Sequence, residues 1–552
     1  MATTAKIDAI IIGQSEVVRY DEYSKLPIDR IDYFKELVLL RMVRVRDAFR
    51  SHLDLLNCVR YGQFYCDADY ETRRKMLSIW NLPGLSSLLV ASAATHEGFN
   101  VKVINNFDSE WDRFVEYYDS QPEPPVVGIS TTFHLSYAEV RRLTRQLRKH
   151  DPDMKLVLGG AFSNEQTINR TLVDFEAPMR KYGIDYVLHA FNSDRGFPDL
   201  LRALQGNADI AGVSNLAYLE AGKFQLTAKT WEPPTLNDRP MLWGKLDLPF
   251  VNRTVQLRTA SGCPFACAFC TYPETAGGHF AMELESIERQ LRDIRALGGV
   301  DRIIFIDDTF NVPTARFREI LRILCRFEFK WYSFLRVQYV TDEVARLMRD
   351  SGCQGVYLGI ESASNDVLRN MNKKVTREAL LKGMEFLNRY GIPTFAAFVL
   401  GFPGETEQTI VQNMEFLKMC SIDFYSTKEF YYMQHASVHN NRDKYGLTGL
   451  GNKWTHNTMD STTASAMKVN MFREVKEAVF MDPDTSLWYL AYLQDQGFTM
   501  PQIRAIQGVI NGMMMSEIDG DFTDKAPRLD ELRSAMGDDA TACVTPVTPQ
   551  VR

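Results

Sequence analysis

Short apolar runs recur along the chain, separated by segments whose apolar residues return every three or four positions. The early runs fall at 7–12, 101–104, 126–129, 155–158 and 186–188. Each is short enough for a strand. Between them, 85–96 and 137–149 carry helical periodicity, the first stopped by Gly98. A helix-rich segment is predicted over 33–59, and 216–227, with Gly222 near its centre, reads as a hairpin. Buried strands joined by helical crossovers predict a parallel sheet covered on both faces. Residues 1–230 are therefore expected to form a doubly wound α/β domain.

The stretch 231–250 carries four prolines and no clear period, as a linker does. Strand and helix alternate again over 251–433, with strands expected at 254–257, 303–306, 331–337, from 355, 395–401 and 424–430. Residues 434–552 read as largely helical, with a Thr- and Pro-containing tail.

Composition excludes several classes. At 552 residues with 45% apolar content, the chain is long enough for three or four domains and too apolar to be disordered. No run of about 18 uncharged apolar residues occurs, so no membrane span is expected. The apolar run near the start is too short for a signal peptide. Lys and Arg number 63 against 70 Asp and Glu, which does not favour nucleic-acid binding. Nine cysteines, an odd number thinly spread, make a poor disulfide framework and fit a cytoplasmic protein. Neither GxGxxG after a strand nor GxxxxGK[ST] is present, so a nucleotide-phosphate site has no support.

Candidate chemistry concentrates in Cys263-Pro-Phe-Ala-Cys267-Ala-Phe-Cys270. Three thiolates at this spacing can hold three irons of a [4Fe–4S] cluster and leave the fourth open. Structural zinc takes four ligands, often in two pairs, and no second CxxC exists. A zinc site using His435 and His439 would strand one cysteine. Two strand ends of the first region, Gly128-Ile-Ser-Thr-Thr132 and Gly159-Gly-Ala-Phe-Ser163, pair glycine with hydroxyls where doubly wound sheets bind ligands. On local grounds alone, ordinary turn chemistry is the stronger explanation of both.

CxxxCx(aromatic)C after the first strand of a β/α array resembles the radical S-adenosylmethionine (SAM) superfamily. The resemblance continues through FIDDTF (305–310), the GIES element at 359–362 and FPGET (402–406). It implies a partial (β/α)6 barrel over 251–433, with SAM chelating the open iron and yielding a 5′-deoxyadenosyl radical. It further implies that Phe269 packs near adenine, that Asp307 or Asp308 binds the ammonium, that Arg336 pairs with the methionine carboxylate, and that Glu361 and Ser362 meet ribose hydroxyls or the amino group. An external electron donor such as flavodoxin or ferredoxin is expected.

A doubly wound domain before such a barrel resembles the cobalamin-dependent branch, in which Ser130, Thr131, Thr132, Gly159 and Gly160 would contact cobalamin. The segment 99–108 stands where the DxHxxG motif would be and contains no histidine. Cobalamin bound without a lower histidine ligand is therefore expected. The segments DAIIIGQSEV, LNCVRYGQFY and WTHNTMDSTTA resemble P-methyltransferases of the phosphinothricin (bialaphos) type, which implies methyl transfer from methylcobalamin to a phosphinate radical. Lys428, Tyr431 and His456 are the substrate candidates. A carbon methylase or cyclase shares every motif. A methylthiolating enzyme would bring extra clusters and an RNA-binding module, and a non-catalytic iron–sulfur protein would take four ligands rather than three.

Overall fold

The computed structural model describes residues 5–16, 40–46, 48–134, 136–168, 175–481, 486–521 and 523–537. The expected tail at 540–552, with Cys543, lies outside them.

The first sheet contains β1 (Ala9–Gln14), β2 (Val101–Asn106), β3 (Val126–Ser130), β4 (Leu156–Gly159), β5 (Tyr186–Leu188), β6 (Leu216–Glu220) and β7 (Lys223–Leu226). Their order is β2-β1-β3-β4-β5-β6-β7. The first five in this order are parallel, and the β6–β7 hairpin extends the sheet antiparallel. All six residues of β1 are buried, as a central strand covered on both faces requires. Strand order reverses between β1 and β3, which places the ligand crevice at their carboxyl ends.

The expected helical segment at 33–59 is corrected in part. Residues 33–39 lie outside the described residues, and Met42–Val45 pairs with Ala48–Ser51 as an antiparallel hairpin. Val43, Val45 and Phe49 are fully buried there, and β-branched and aromatic residues fit a pleated surface. The helix starts only at His52, where the Ser51 side chain accepts from the Asp54 N–H.

The second sheet is parallel throughout and runs in chain order: β8 (Thr254–Leu257), β9 (Arg302–Phe305), β10 (Lys330–Leu335), β11 (Cys353–Glu361), β12 (Thr394–Leu400), β13 (Phe424–Glu429) and β14 (Val479–Phe480). Six strands are those expected. The seventh comes from the C-terminal region, and a two-residue strand carries no readable period. That region also holds a small antiparallel sheet of Thr448–Leu450, Lys453–His456 and Met459–Asp460.

A helix at Ser486–Asp495 packs against the strands of this sheet. Leu487, Tyr489, Leu490, Ala491 and Leu493 are buried, which suits a helix enclosed in a core. Asp495 pairs with Arg302, the Tyr332 hydroxyl donates to Gln494 Oε1 at 2.5 Å, and the Trp488 ring lies 5.5 Å from Phe334. Tyr492 of this helix accepts from the Ser78 N–H at 2.8 Å, which ties it to the first domain. The segment expected as a bare linker is a packed strap. Met241 and Trp243 are buried, Trp243 Nε1 donates to Gln290 Oε1 at 3.0 Å, and Asp247 pairs with Lys102 at 3.1 Å. Among the described residues no helix is long and apolar enough to cross a membrane.

Candidate functional site

A cavity of about 310 Å³ opens between the two sheets. Its floor is one face of the first sheet, carrying Ile11, Gly128, Val157 and Leu188; Leu257, Arg258, Tyr272 and Met282 close it from the barrel side. Gly128 leaves the floor open, since a Cβ there would lie 3.5 Å from Phe197 and 3.6 Å from Ile11. Ser130, Thr132, Gly159 and Gly160 line the rim. Thr131 does not. It is fully buried, and its N–H and hydroxyl both donate to the Gly159 carbonyl, at 2.6 and 3.0 Å. It clasps the two strand ends together. Ser86, not singled out from sequence, lies with its hydroxyl 3.1 Å from that of Ser130.

Histidine is absent from the described residues lining the cavity. His96 bonds the Pro240 carbonyl. Both nitrogens of His134 are engaged at 2.7 Å, by Ser15 Oγ and the Ser130 carbonyl. His189 is buried and stacked on Phe175. An apolar floor with a hydroxyl rim fits a large organic cofactor that has an aromatic tail and an amide-bearing ring.

The cysteine loop follows Ala260–Ser261, a short strand paired with Phe280–Ala281. Gly262 has φ +80, and a Cβ on it would stand 1.6 Å from the Gly278 carbonyl oxygen, so only glycine fits. Three bonds fix the loop from outside. Ala268 N–H donates to the Met371 carbonyl at 2.8 Å, Asn372 Nδ2 donates to the Ala266 carbonyl at 2.6 Å, and Val438 N–H donates to the Ala268 carbonyl at 2.9 Å. Cys267 is buried, and Cys263 and Cys270 are half-buried. Burial, with Cys267 and Cys263 adjoining, pushes the Cys270 thiol up to about 11. Thiolate is the ligand form, so binding iron must displace these protons. Among the described residues no three His, Cys, Asp or Glu side chains already close on a metal, and Cys267 Sγ accepts from Arg336 Nη2 at 2.9 Å. The donor set is that of a three-thiolate cluster, on a loop pinned either side of Cys267. His439 Nδ1 is engaged with the Tyr432 hydroxyl at 2.6 Å.

The other barrel candidates separate by their partners. Asp307 is buried and committed to Thr259, accepting from its N–H at 2.6 Å and from its hydroxyl at 2.5 Å. Asp308 keeps solvent access but is enclosed by neighbours, and this desolvation raises it to about 6 against the pull of Tyr272 and Arg258. Phe269 meets Phe402 edge to face at 6.2 Å. Glu361 ends β11 with φ +63, and its Oε1 lies 2.8 Å from Lys373 Nζ. Ser362 is fully buried, with its hydroxyl 3.3 Å from Asn413 Oδ1.

Of the substrate candidates, Lys428 is exposed near the carboxyl end of β13. The registers Gly359↔Ala397, Ala397↔Ser426 and Val399↔Lys428 place these residues on one face. Tyr431 is 54% exposed beyond the strand end. The imidazole of His456 is committed, with Nε2 at 3.1 Å from the Gly401 carbonyl and Nδ1 accepting from Thr458. Trp454 stacks on it at 5.2 Å and packs on Gly401, where a Cβ would come within 2.3 Å of the indole. Lys373, Asn413 and Asn311 carry no sequence signal: they are polar residues in no periodic pattern, and their partners are reached only through the fold.

Residues 257–417 match the radical SAM superfamily, and residues 81–178 match the B12 binding domain. The chain joins a B12-binding domain to a radical SAM domain. These domains bring a [4Fe–4S] cluster, S-adenosylmethionine and cobalamin to the protein. An uncharacterized methyltransferase, PH0819, of Pyrococcus horikoshii is 27% identical over 369 residues, covering 62% of this chain and 74% of that one. The bacteriochlorophyllide d C-12(1)-methyltransferase of Chlorobaculum tepidum is 28% identical over 210 residues, 36% of this chain and 45% of its own. The ribosomal protein uS12 methylthiotransferase RimO of Symbiobacterium thermophilum is 30% identical over 239 residues, 40% of this chain and 47% of its own. The match thus spans less than half the length of the last two relatives. The fold is shared with the methyltransferase TsrM from Kitasatospora setae (TM-score 0.57, 16% identity, 82% of this chain and 96% of that one). It is also shared with the cobalamin-dependent radical SAM enzyme OxsB (TM-score 0.53, 12% identity, 98% and 85%).

Proposed function

We propose that this protein is a cobalamin-dependent radical SAM methyltransferase acting on a small molecule. The observation that carries this reading is the shared cavity. Its rim is formed by Ser130, Thr132, Gly159 and Gly160 of the B12-binding domain, and its opposite wall by Arg258 and Tyr272, which flank the cysteine loop. When bound, the cluster with SAM supplies a hydrogen-abstracting carbon radical, and cobalamin supplies the methyl group.

The chain's own residues bind, orient and shield. Cys263, Cys267 and Cys270 hold the cluster. Glu361, held by Lys373, and Asp308 offer carboxylates to the polar groups of SAM, with Phe269 beside its adenine. The apolar floor around Gly128 takes the cobalamin tail. Lys428, an exposed cation paired in register with Val399 near the strand end, attracts an anionic substrate group. Trp454 and His456 close the mouth over Gly401 and exclude water. Tyr431 stands at the rim.

The acceptor we favour is the phosphorus of a phosphinate, on the strength of the three segments that resemble the phosphinothricin-type enzymes. One of them, WTHNTMDSTTA, contains Trp454 and His456. A carbon acceptor is the second reading, and the bacteriochlorophyllide relative, named for a carbon position, favours it. Anaerobic turnover with SAM, cobalamin, reductant and a P-deuterated H-phosphinate separates the two. Deuterium in 5′-deoxyadenosine together with a new P–CH3 signal in phosphorus NMR supports phosphorus. Methylated product with unlabelled deoxyadenosine excludes P–H abstraction.

A further inference from the structure

Arg336 follows the third barrel strand, and its surroundings do not leave a guanidinium fork open to a ligand. Its side chain is buried. Nη2 donates to Cys267 Sγ at 2.9 Å and Nη1 to the Lys373 carbonyl at 2.9 Å. The guanidinium carbon lies 3.5 Å from the centre of the Phe265 ring, over its face. The backbone is held as firmly. Arg336 N–H donates to Asn311 Oδ1 at 3.1 Å, and Asn311 Nδ2 donates back to the Arg336 carbonyl at 2.8 Å. Cys267 itself sits in the loop pinned through Ala266 and Ala268. Neither partner is a mobile surface group, so their approach is a property of the scaffold.

We infer that Arg336 is a positioning residue that donates a charge-assisted hydrogen bond to the Cys267 cluster ligand and sets the reduction potential of the [4Fe–4S] centre, rather than clamping the carboxylate of SAM. The inference rests on the assignment of the three cysteines to the cluster. Reduction adds one electron to the cluster and its thiolate sulfurs. A cation 2.9 Å from one sulfur stabilises that added charge, and hydrogen bonds to the sulfurs are among the determinants of cluster potential. Burial strengthens the effect, since water does not screen the pair. Phe265 and the Lys373 carbonyl hold the guanidinium in place without neutralising it. Asn311, the last residue of the segment that opens with FIDDTF, thereby acts on the cluster from a distance by fixing the Arg336 backbone.

The test uses the full chain, reconstituted anaerobically with iron and sulfide, as wild type, Arg336→Gln and Arg336→Lys. Iron content is measured first; wild type without about four irons would remove the cluster assignment itself. The midpoint potential is then read by electron paramagnetic resonance during redox titration without SAM, and SAM affinity is measured separately on the oxidised protein. Arg336→Gln is expected to lower the reduced-to-oxidised ratio at fixed potential at least tenfold, about 59 mV for one electron, with SAM affinity changed less than threefold. Arg336→Lys keeps the charge but not the fork, and its ratio is expected to fall between the two. If Arg336→Gln fails to hold a full cluster, Arg336→Lys decides: a lowered midpoint supports the assignment, and a midpoint equal to wild type overturns it. An unchanged midpoint in either iron-replete variant, with SAM affinity lost, overturns the inference in favour of the carboxylate clamp.

Discussion

Glu361 and Lys373 face each other at 2.8 Å where β11 ends, and Glu361 reaches that position only by taking a left-handed backbone, φ +63. Asn372 and Lys374, the neighbours of Lys373, also have positive φ. Non-glycine residues in this region carry strain of order 1–3 kcal/mol each and collect at ligand sites. Both side chains are largely buried, so neither charge is stable alone. Lys373→Met is expected to destabilise the protein by about 3–5 kcal/mol, the cost of stranding a buried partner, and to weaken SAM binding. Adding Glu361→Gln should recover part of the stability and none of the SAM affinity. Chemical denaturation and SAM titration on the same samples check both.

Gly128 provides the second prediction. A Cβ there meets only ordinary contacts, so a larger side chain is directed into the cavity rather than into the backbone. Gly128→Leu is expected to abolish stoichiometric cobalamin, read from the absorbance of the purified protein, while iron content and SAM cleavage remain near wild type. Joint loss of cobalamin and iron would show that the whole domain had unfolded.

Glu405 gives a pH signature. It is fully buried, accepts from the Gly401 N–H, and lies 3.4 Å from Asn413 Nδ2. Burial raises its pKa to about 8. The folded protein therefore holds a proton that the unfolded chain loses near pH 4.5, the ordinary value. Between these values the native state binds more protons, so stability falls as pH rises from about 4.5 to about 8. Glu405→Gln should flatten that part of the profile. Thermal melts across the range, with the variant showing the same slope as wild type, would refute the assignment.

Much of this was legible in the sequence because buried parallel strands leave continuous apolar runs. The parallel strands of the first sheet and six of the seven in the second follow from such runs, and the cysteine loop from the spacing of its three thiols. The seventh barrel strand, Val479–Phe480, is too short to carry a pattern, and the Met42–Val45 hairpin falls where a helix was read. At the site, the family resemblance points to Thr131 and Asp307 as ligand contacts, and the fold engages them with Gly159 and Thr259. Asn413 was invisible for the opposite reason. Its carboxamide reaches Ala363 N–H at 2.6 Å from 50 residues away, and no spacing rule reports such a meeting.

In the proposed function, one chain draws a methyl group from SAM onto cobalamin beside a radical-generating cluster. Anaerobic incubation of the holoprotein with methyl-deuterated SAM and reductant tests it without knowledge of the acceptor, by mass spectrometry of the extracted cobalamin and nucleosides. Deuterated methylcobalamin is expected with an equal amount of S-adenosylhomocysteine, together with 5′-deoxyadenosine that disappears when Cys263, Cys267 and Cys270 are all replaced by Ala. Cobalamin that stays unmethylated, with deoxyadenosine still formed, would contradict the methyltransferase and leave a cyclase-type radical enzyme in its place.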